Sequence, residues 1–403
     1  MAFDPETYVY LDYAATAPLC EEAARAMAPY QEPGRANLAM GANANSLHGP
    51  GRAAFSALED ARRSLARDLG ARRPDEIVFT SGATEADGAA LIGIARAAAQ
   101  ARRLRPGASG AGAPRVVTTA MEHDAVLAPA RCLEAQGFSV VRLAPDRQGF
   151  IDPDRLAAAL DESTVLVSVQ AANSEVGSVQ PVAELARVAH EAGALFHTDA
   201  VQALGKVAVD VGEWDVDAAS FSAHKVGGPK GAGALYLRAR TPFEPQLLGG
   251  GQEGGRRSGT QNVAGAAGFA AAVRAAAQAL PAEAARLREL RDGLYAAIAA
   301  VDGVTATVEV APGSEEFLPN VVHMLAEGLE SETLILRLDM QGFGVSGGSA
   351  CSSHSLEPSH VLRSVGLDAD RAQGALRVSM GRLTESADIE AFVGALRKSL
   401  DWN

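Results

Sequence analysis

Two hydrophobic patterns alternate along the chain between about Asp75 and Arg238. Short apolar runs bounded by polar or glycine positions predict strands at 76–80, 115–119, 138–143, 165–169, 194–197, 219–222 and 234–237. Between most of them lie alanine-rich segments with apolar residues at helical spacing, such as 85–100 and 182–191. Buried strands alternating with helices imply βαβ units: an α/β protein with a mostly parallel seven-stranded sheet covered by helices on both faces. A run of breakers at 105–114 predicts a surface loop.

A glycine-dense stretch at 249–259 ends this region. Two long helical patterns separated by Pro281 follow. The last third predicts strands near 321–325, 344–346 and 376–379 and helices around 332–340 and 386–400, which together suggest a smaller α+β unit. The expected division is a large domain over 15–262 and a small domain built from 1–14 plus 263–403.

Composition narrows the function classes. The 403 residues are 47% hydrophobic and 21% charged, enough for a large core and two or three domains. Acidic residues outnumber basic ones by 49 to 36, a net charge of −13, which argues against a nucleic-acid or anionic-membrane binder. The first residues lack the basic start and apolar stretch of a secretory signal, and 262–280 is small alanine interrupted by Arg274 and Gln278; no membrane span and a cytoplasmic location are expected. Cys20, Cys132 and Cys351 are far apart without a CxxC pair, which fits neither a disulfide framework nor a metal site. Cys132, on a helical pattern, reads as a buried structural thiol, whereas Cys351 lies in a small, polar, glycine-rich stretch suited to catalysis.

Asp199 and Lys225 each follow a predicted strand, so a carboxylate and an amine reach one sheet edge. An amine there can condense with a cofactor aldehyde, and a carboxylate can keep a pyridine nitrogen protonated. Lys230, five residues on, is the rival amine. In Ser81-Gly82-Ala83-Thr84 a strand runs through a glycine into a helix, where the first amides and the Thr84 hydroxyl suit a phosphate. Ser222 and His224 bracket the strand end and can donate to the same phosphate. His123 follows another strand and could stack on a ring or move protons. Asn173 and Gln202 also sit just past strands and could hydrogen-bond a ring oxygen.

These segments, with Asp12-Tyr-Ala-Ala-Thr-Ala-Pro18, Asn173-Ser-Glu-Val-Gly177, Arg257-Ser-Gly-Thr260 and Ser349-Ala-Cys-Ser-Ser353, resemble the cysteine desulfurases of the class V aminotransferase group, collinearly from about residue 10 to beyond 380. The resemblance implies the fold type I of pyridoxal 5'-phosphate enzymes, with Lys225 as the cofactor-bearing lysine, Asp199 at the ring nitrogen and His123 stacked on the ring. It implies Ala83, Thr84, Ser222 and His224 around the phosphate, and Gln202 and Asn173 near the ring oxygen. Thr260 would reach the phosphate in the neighbouring subunit of a homodimer. Arg377, with Arg382 as its competitor, would hold the carboxylate of L-cysteine, assisted by Asn173. Cys351 would take the sulfur as a persulfide and pass it to an acceptor protein, an iron–sulfur scaffold or a tRNA-thiolating enzyme. A selenocysteine lyase or another aminotransferase-like enzyme remains the alternative at this point.

Overall fold

A computed structural model describes residues 4–39, 41–103, 112–348 and 359–401. The chain enters through a short strand β1 (Val9–Tyr10), then helices α1 (Glu21–Gln31) and α2 (Gly49–Asp68). Next come β2 (Ile77–Thr80), α3 (Ala83–Arg103), β3 (Arg115–Thr119), α4 (Asp124–Ala135), β4 (Ser139–Leu143) and α5 (Pro153–Ala159). They are followed by β5 (Thr164–Ser168), α6 (Val182–Glu191), β6 (Leu195–Asp199), β7 (Ala218–Ser222) and β8 (Gly233–Leu237). These strands form a seven-stranded sheet of order β2-β8-β7-β6-β5-β3-β4. β8 runs antiparallel to both neighbours and the other pairs are parallel, so the sheet is mostly parallel, as expected.

Period-two alternation sorts the side chains onto two faces. Ile77, Phe79, Ala219, Phe221, Ala234 and Tyr236 pack into one core with α2 and α6, while Val78, Ala218, Leu235 and Leu237 pack into another with α3 and α4. The predicted strands fall within two residues of those observed, since β-branched and aromatic runs buried on both faces leave little choice of conformation.

One expectation is corrected at Pro281. The two helical patterns are a single helix, α7 (Val263–Ile298), with the proline inside. Pro281 is exposed, as is Ala277 one turn earlier, so the carbonyl that loses its helical partner can turn to water. The first half of α7, through Ala276, packs into the large-sheet core with α1 and α2, and from Leu287 onward it packs into a second core. The boundary drawn at 262/263 coincides with the N-cap Asn262, yet the change of core occurs near Pro281.

The second core surrounds β9 (Val304–Ala306), β10 (Val321–Ala326), α8 (Ser331–Asp339), β11 (Phe343–Gly344), α9 (His360–Ser364), α10 (Ala369–Ala372), β12 (Ala375–Ser379) and α11 (Ser386–Leu400). β9, β10 and β12 form an antiparallel sheet with β10 in the centre. β1 pairs in parallel with β11, and the Tyr13 amide donates to Ser379 O, so the N-terminal segment runs along this unit before it reaches the large sheet. The breaker run at 105–114 and Cys351 fall mostly or wholly outside the described residues.

Candidate active site

The carboxyl ends of β2, β3, β5, β6 and β7 open on one cavity of about 510 Å³. Its wall contains Ser81, Ala83, Thr84, His123, Asp199, Gln202, Ser222, His224, Lys225, Lys230 and Arg377. Residues chosen from separate strand ends therefore converge, which is what sheet topology imposes on an α/β protein.

At one end, α3 starts directly after β2. The first-turn amides of Ala83 and Thr84 have no partner within the helix, and the helix dipole makes this an anion site. The turn lies close against β8: a Cβ at Gly233 would sit 2.6 Å from the Gly82 Cα, so only glycine lets the two backbones meet. Glu85 accepts from the Ser81 amide at 2.8 Å and from Arg257 Nε at 2.8 Å, which holds the helix start in place. Ser222 is buried at the end of β7. His224 Nδ1 lies 3.1 Å from Thr16 Oγ1, and burial, with the nearby lysines, pushes the imidazole down to about 4. A neutral ring whose Nδ1 accepts from Thr16 retains Nε2–H as a donor.

Lys225 follows β7 by one short turn, and its Nζ donates to Ala14 O at 2.5 Å and Ala15 O at 2.7 Å. Lys230 also lines the cavity but is exposed, without comparable anchoring to the sheet end, which favours Lys225 as the reactive amine. Asp199 Oδ1 accepts from the Val201 amide at 2.9 Å. Burial raises its pKa, while that amide, His123 and Lys225 pull the other way. His123 caps α4, its Nδ1 accepting from the Ala125 amide at 3.1 Å, so its ring orientation is fixed by the helix start. Gln202 Nε2 donates to Ala14 O at 3.0 Å.

Arg377 comes from β12 and is 1% exposed. Its Nη2 donates to Asp12 Oδ1 at 2.8 Å and its Nη1 to Ser174 O at 3.1 Å, while Nε has no partner among the described residues. Arg382 is exposed, lies 3.4 Å from Glu22 and lines a separate cavity, so geometry favours Arg377 as the carboxylate-binding arginine.

One expected site residue is held away from the cavity wall. Asn173 is buried, but its Oδ1 accepts from the amides of Glu175 and Val176 and its Nδ2 donates to Met121 O. The side chain shapes the turn, and Ala172 and Ser174 supply the cavity wall there. Thr260, expected to act in the cavity of a second copy, is exposed just before α7 and does not line this one. Cys132 is a further correction: it is exposed on α4, because Val126, Ala130 and Leu133 form the buried stripe and residue 132 falls outside it. Among the described residues the buried thiol is Cys20.

Sequence reasoning missed the work of Asp12, Ala14, Ala15, Asp87 and Gln170. All five act through backbone atoms or contacts distant in sequence; the 12–18 motif was visible, but not what it touches.

The fold and the site together define a class. The family model for class-V aminotransferases matches residues 9–392, and the chain belongs to that family. It is 40% identical to the cysteine desulfurase IscS of Dictyoglomus turgidum over 98% of this chain and 94% of that protein. Among solved structures it resembles a NifS-like protein, with a TM-score of 0.86, 33% identity and coverage of 98% and 100% of the two chains. It also resembles SspA in complex with cysteine, with a TM-score of 0.76, 32% identity and coverage of 92% and 98%.

Proposed function

We propose that the protein is a pyridoxal 5'-phosphate-dependent cysteine desulfurase that converts L-cysteine to L-alanine and leaves the sulfur as a persulfide on Cys351. The observation that carries this reading is one cavity holding Lys225, Asp199, the α3 start and Arg377 together. These residues fit the cofactor: an anion cradle at one end, a buried carboxylate for a ring nitrogen and an amine anchored beside it. When bound, the cofactor supplies an electron sink that weakens bonds at the α and β carbons of an amino acid.

The chain's own groups then divide the work. Ala83, Thr84, Ser222 and His224 hold the phosphate, and Thr260 of a second copy completes the cradle in a homodimer. Asp199 would take the ring nitrogen, Gln202 would serve the ring oxygen, and His123 would cover the ring. Asn173 acts through the turn it holds. Arg377 binds the substrate carboxylate, its planar fork matching two oxygens. Lys225 Nζ moves the proton at the substrate Cα. In the net reaction a bond forms between the Cys351 sulfur and the substrate sulfur as the Cβ–S bond breaks, and Cβ gains a proton to become the methyl of alanine. The nucleophile is the thiolate. The persulfide then serves an acceptor protein, an iron–sulfur scaffold or a tRNA-thiolating enzyme, in the cytoplasm.

Cys351→Ser tests the reading. The variant is expected to bind the cofactor, seen as retained visible absorbance, and to lose alanine production from cysteine. Undiminished alanine production would refute the assignment of Cys351.

A further inference from the structure

A row of polar side chains crosses three strands of the large sheet. Ser168 Oγ on β5 lies 2.9 Å from His197 Nδ1 on β6, and His197 Nε2 lies 2.9 Å from Ser220 Oγ on β7. Both imidazole nitrogens thus meet hydroxyls, and burial pushes the ring down to about 3, so it is neutral. Asp87 of α3 lies against this row, with Oδ1 3.6 Å from His197 Nε2. It is fully buried, and neither of its oxygens has a hydrogen-bond partner among the described residues. Asp87 also shares the cavity wall with Asp199, which stands two positions after His197 and so on the same face of β6.

An ionised carboxylate in such a place is costly without a cation or donors. The titratable groups that face Asp87 are Asp199 on β6 and Glu122 after β3; burial raises its pKa first, both carboxyls act in the same direction, and the nearby Ser220 hydroxyl opposes them. Asp199 has what Asp87 lacks: the Val201 amide, and the influence of His123 and Lys225.

We propose that Asp87 is a positioning residue for Asp199: it carries the proton of the buried carboxyl pair as a neutral acid, so that Asp199 bears the charge offered to the ring nitrogen of the cofactor. The functional half of this proposal rests on the reading that Asp199 faces that nitrogen. The protonation half does not.

Infrared spectra of the cofactor-free protein at neutral pH, wild type against Asp87→Asn, test the protonation. The expected difference is the loss of one protonated-carboxyl carbonyl stretch above the amide I band, distinct from the band removed by Glu122→Gln. If no such band disappears, Asp87 is ionised and the proposal falls, whatever the enzyme's reaction. Equilibrium binding of pyridoxal phosphate to the full-length variants tests the positioning. Asp87→Asn, which keeps a neutral donor, is expected to bind close to wild type, and Asp87→Leu about three- to tenfold more weakly. Weakening by Asp87→Asn as large as that caused by Asp199→Asn would show that Asp87 acts through its own charge and would overturn the proposal. Should Asp87→Leu fail to fold, the two Asp87→Asn measurements still decide.

Discussion

Asp199 and Arg377 are both buried charged groups on the wall of one cavity, yet they are held differently. Asp199 ends a central strand of the seven-stranded sheet, accepts a backbone amide from its own turn and stands beside a neutral polar row. Arg377 lies on β12, at the edge of the small sheet, ion-paired with Asp12 of the N-terminal segment and with one donor nitrogen unmatched among the described residues. The first setting suits a guest that stays. The second suits a carboxylate that arrives and leaves, since part of the guanidinium's donor capacity is free for it and the Asp12 contact can be exchanged.

Breaking the permanent half is expected to have the largest effect. Lys225→Ala should lower kcat by about a thousandfold or more, because the group proposed to move the substrate proton is gone. The check is alanine formation, together with loss of borohydride-dependent attachment of the cofactor to the protein. Breaking the exchangeable half should act on binding instead. Arg377→Ala is expected to raise KM for cysteine by about ten- to a hundredfold, the value of a charge-assisted pair, with a smaller change in kcat. Arg382→Ala serves as the control in the same steady-state measurement and should change KM little, since that side chain lies outside the cavity.

A smaller and sharper effect concerns Glu122, under the cofactor half. Burial pushes its carboxyl from an ordinary value of 4.5 up to about 8. The folded state therefore keeps this proton over a range in which the unfolded chain has lost it. Its contribution to stability is whole below the unfolded value and is lost as pH rises through about 8. Glu122→Gln, which can still accept from Thr119 Oγ1 and the Gln170 amide, should flatten denaturant stability across that window and be at least as stable as wild type at its alkaline end. A variant that retains the full pH slope would show that another group carries it.

Much of the cofactor half was legible in the sequence because it is written locally. Lys225, Asp199 and the 81–84 turn each stand at the end of an apolar run, and a parallel sheet brings such ends together whatever the order of its strands. The order itself was not legible, nor was the antiparallel placement of β8, because pairing depends on contacts between distant segments. Arg377 was reached only through resemblance: nothing in Leu376-Arg377-Val378 says that Asp12 will meet it. Asp87 escaped for the opposite reason. A single acid on an alanine-rich helix looks like an ordinary exposed position, and only packing against His197 shows that it is buried. Pro281 misled because proline stops most helices, and here its missing hydrogen bond falls on the solvent side.

The central claim is transfer of sulfur from free cysteine to one thiol, and a single-turnover experiment addresses it most directly. The cofactor-loaded protein is mixed with L-cysteine without reductant, and alanine is counted while the intact protein and its peptides are weighed. The account predicts one alanine for each subunit and one added sulfur atom, located on the peptide that contains Cys351. Alanine formed with no added sulfur on that peptide, or sulfur found instead on Cys20 or Cys132, would contradict it.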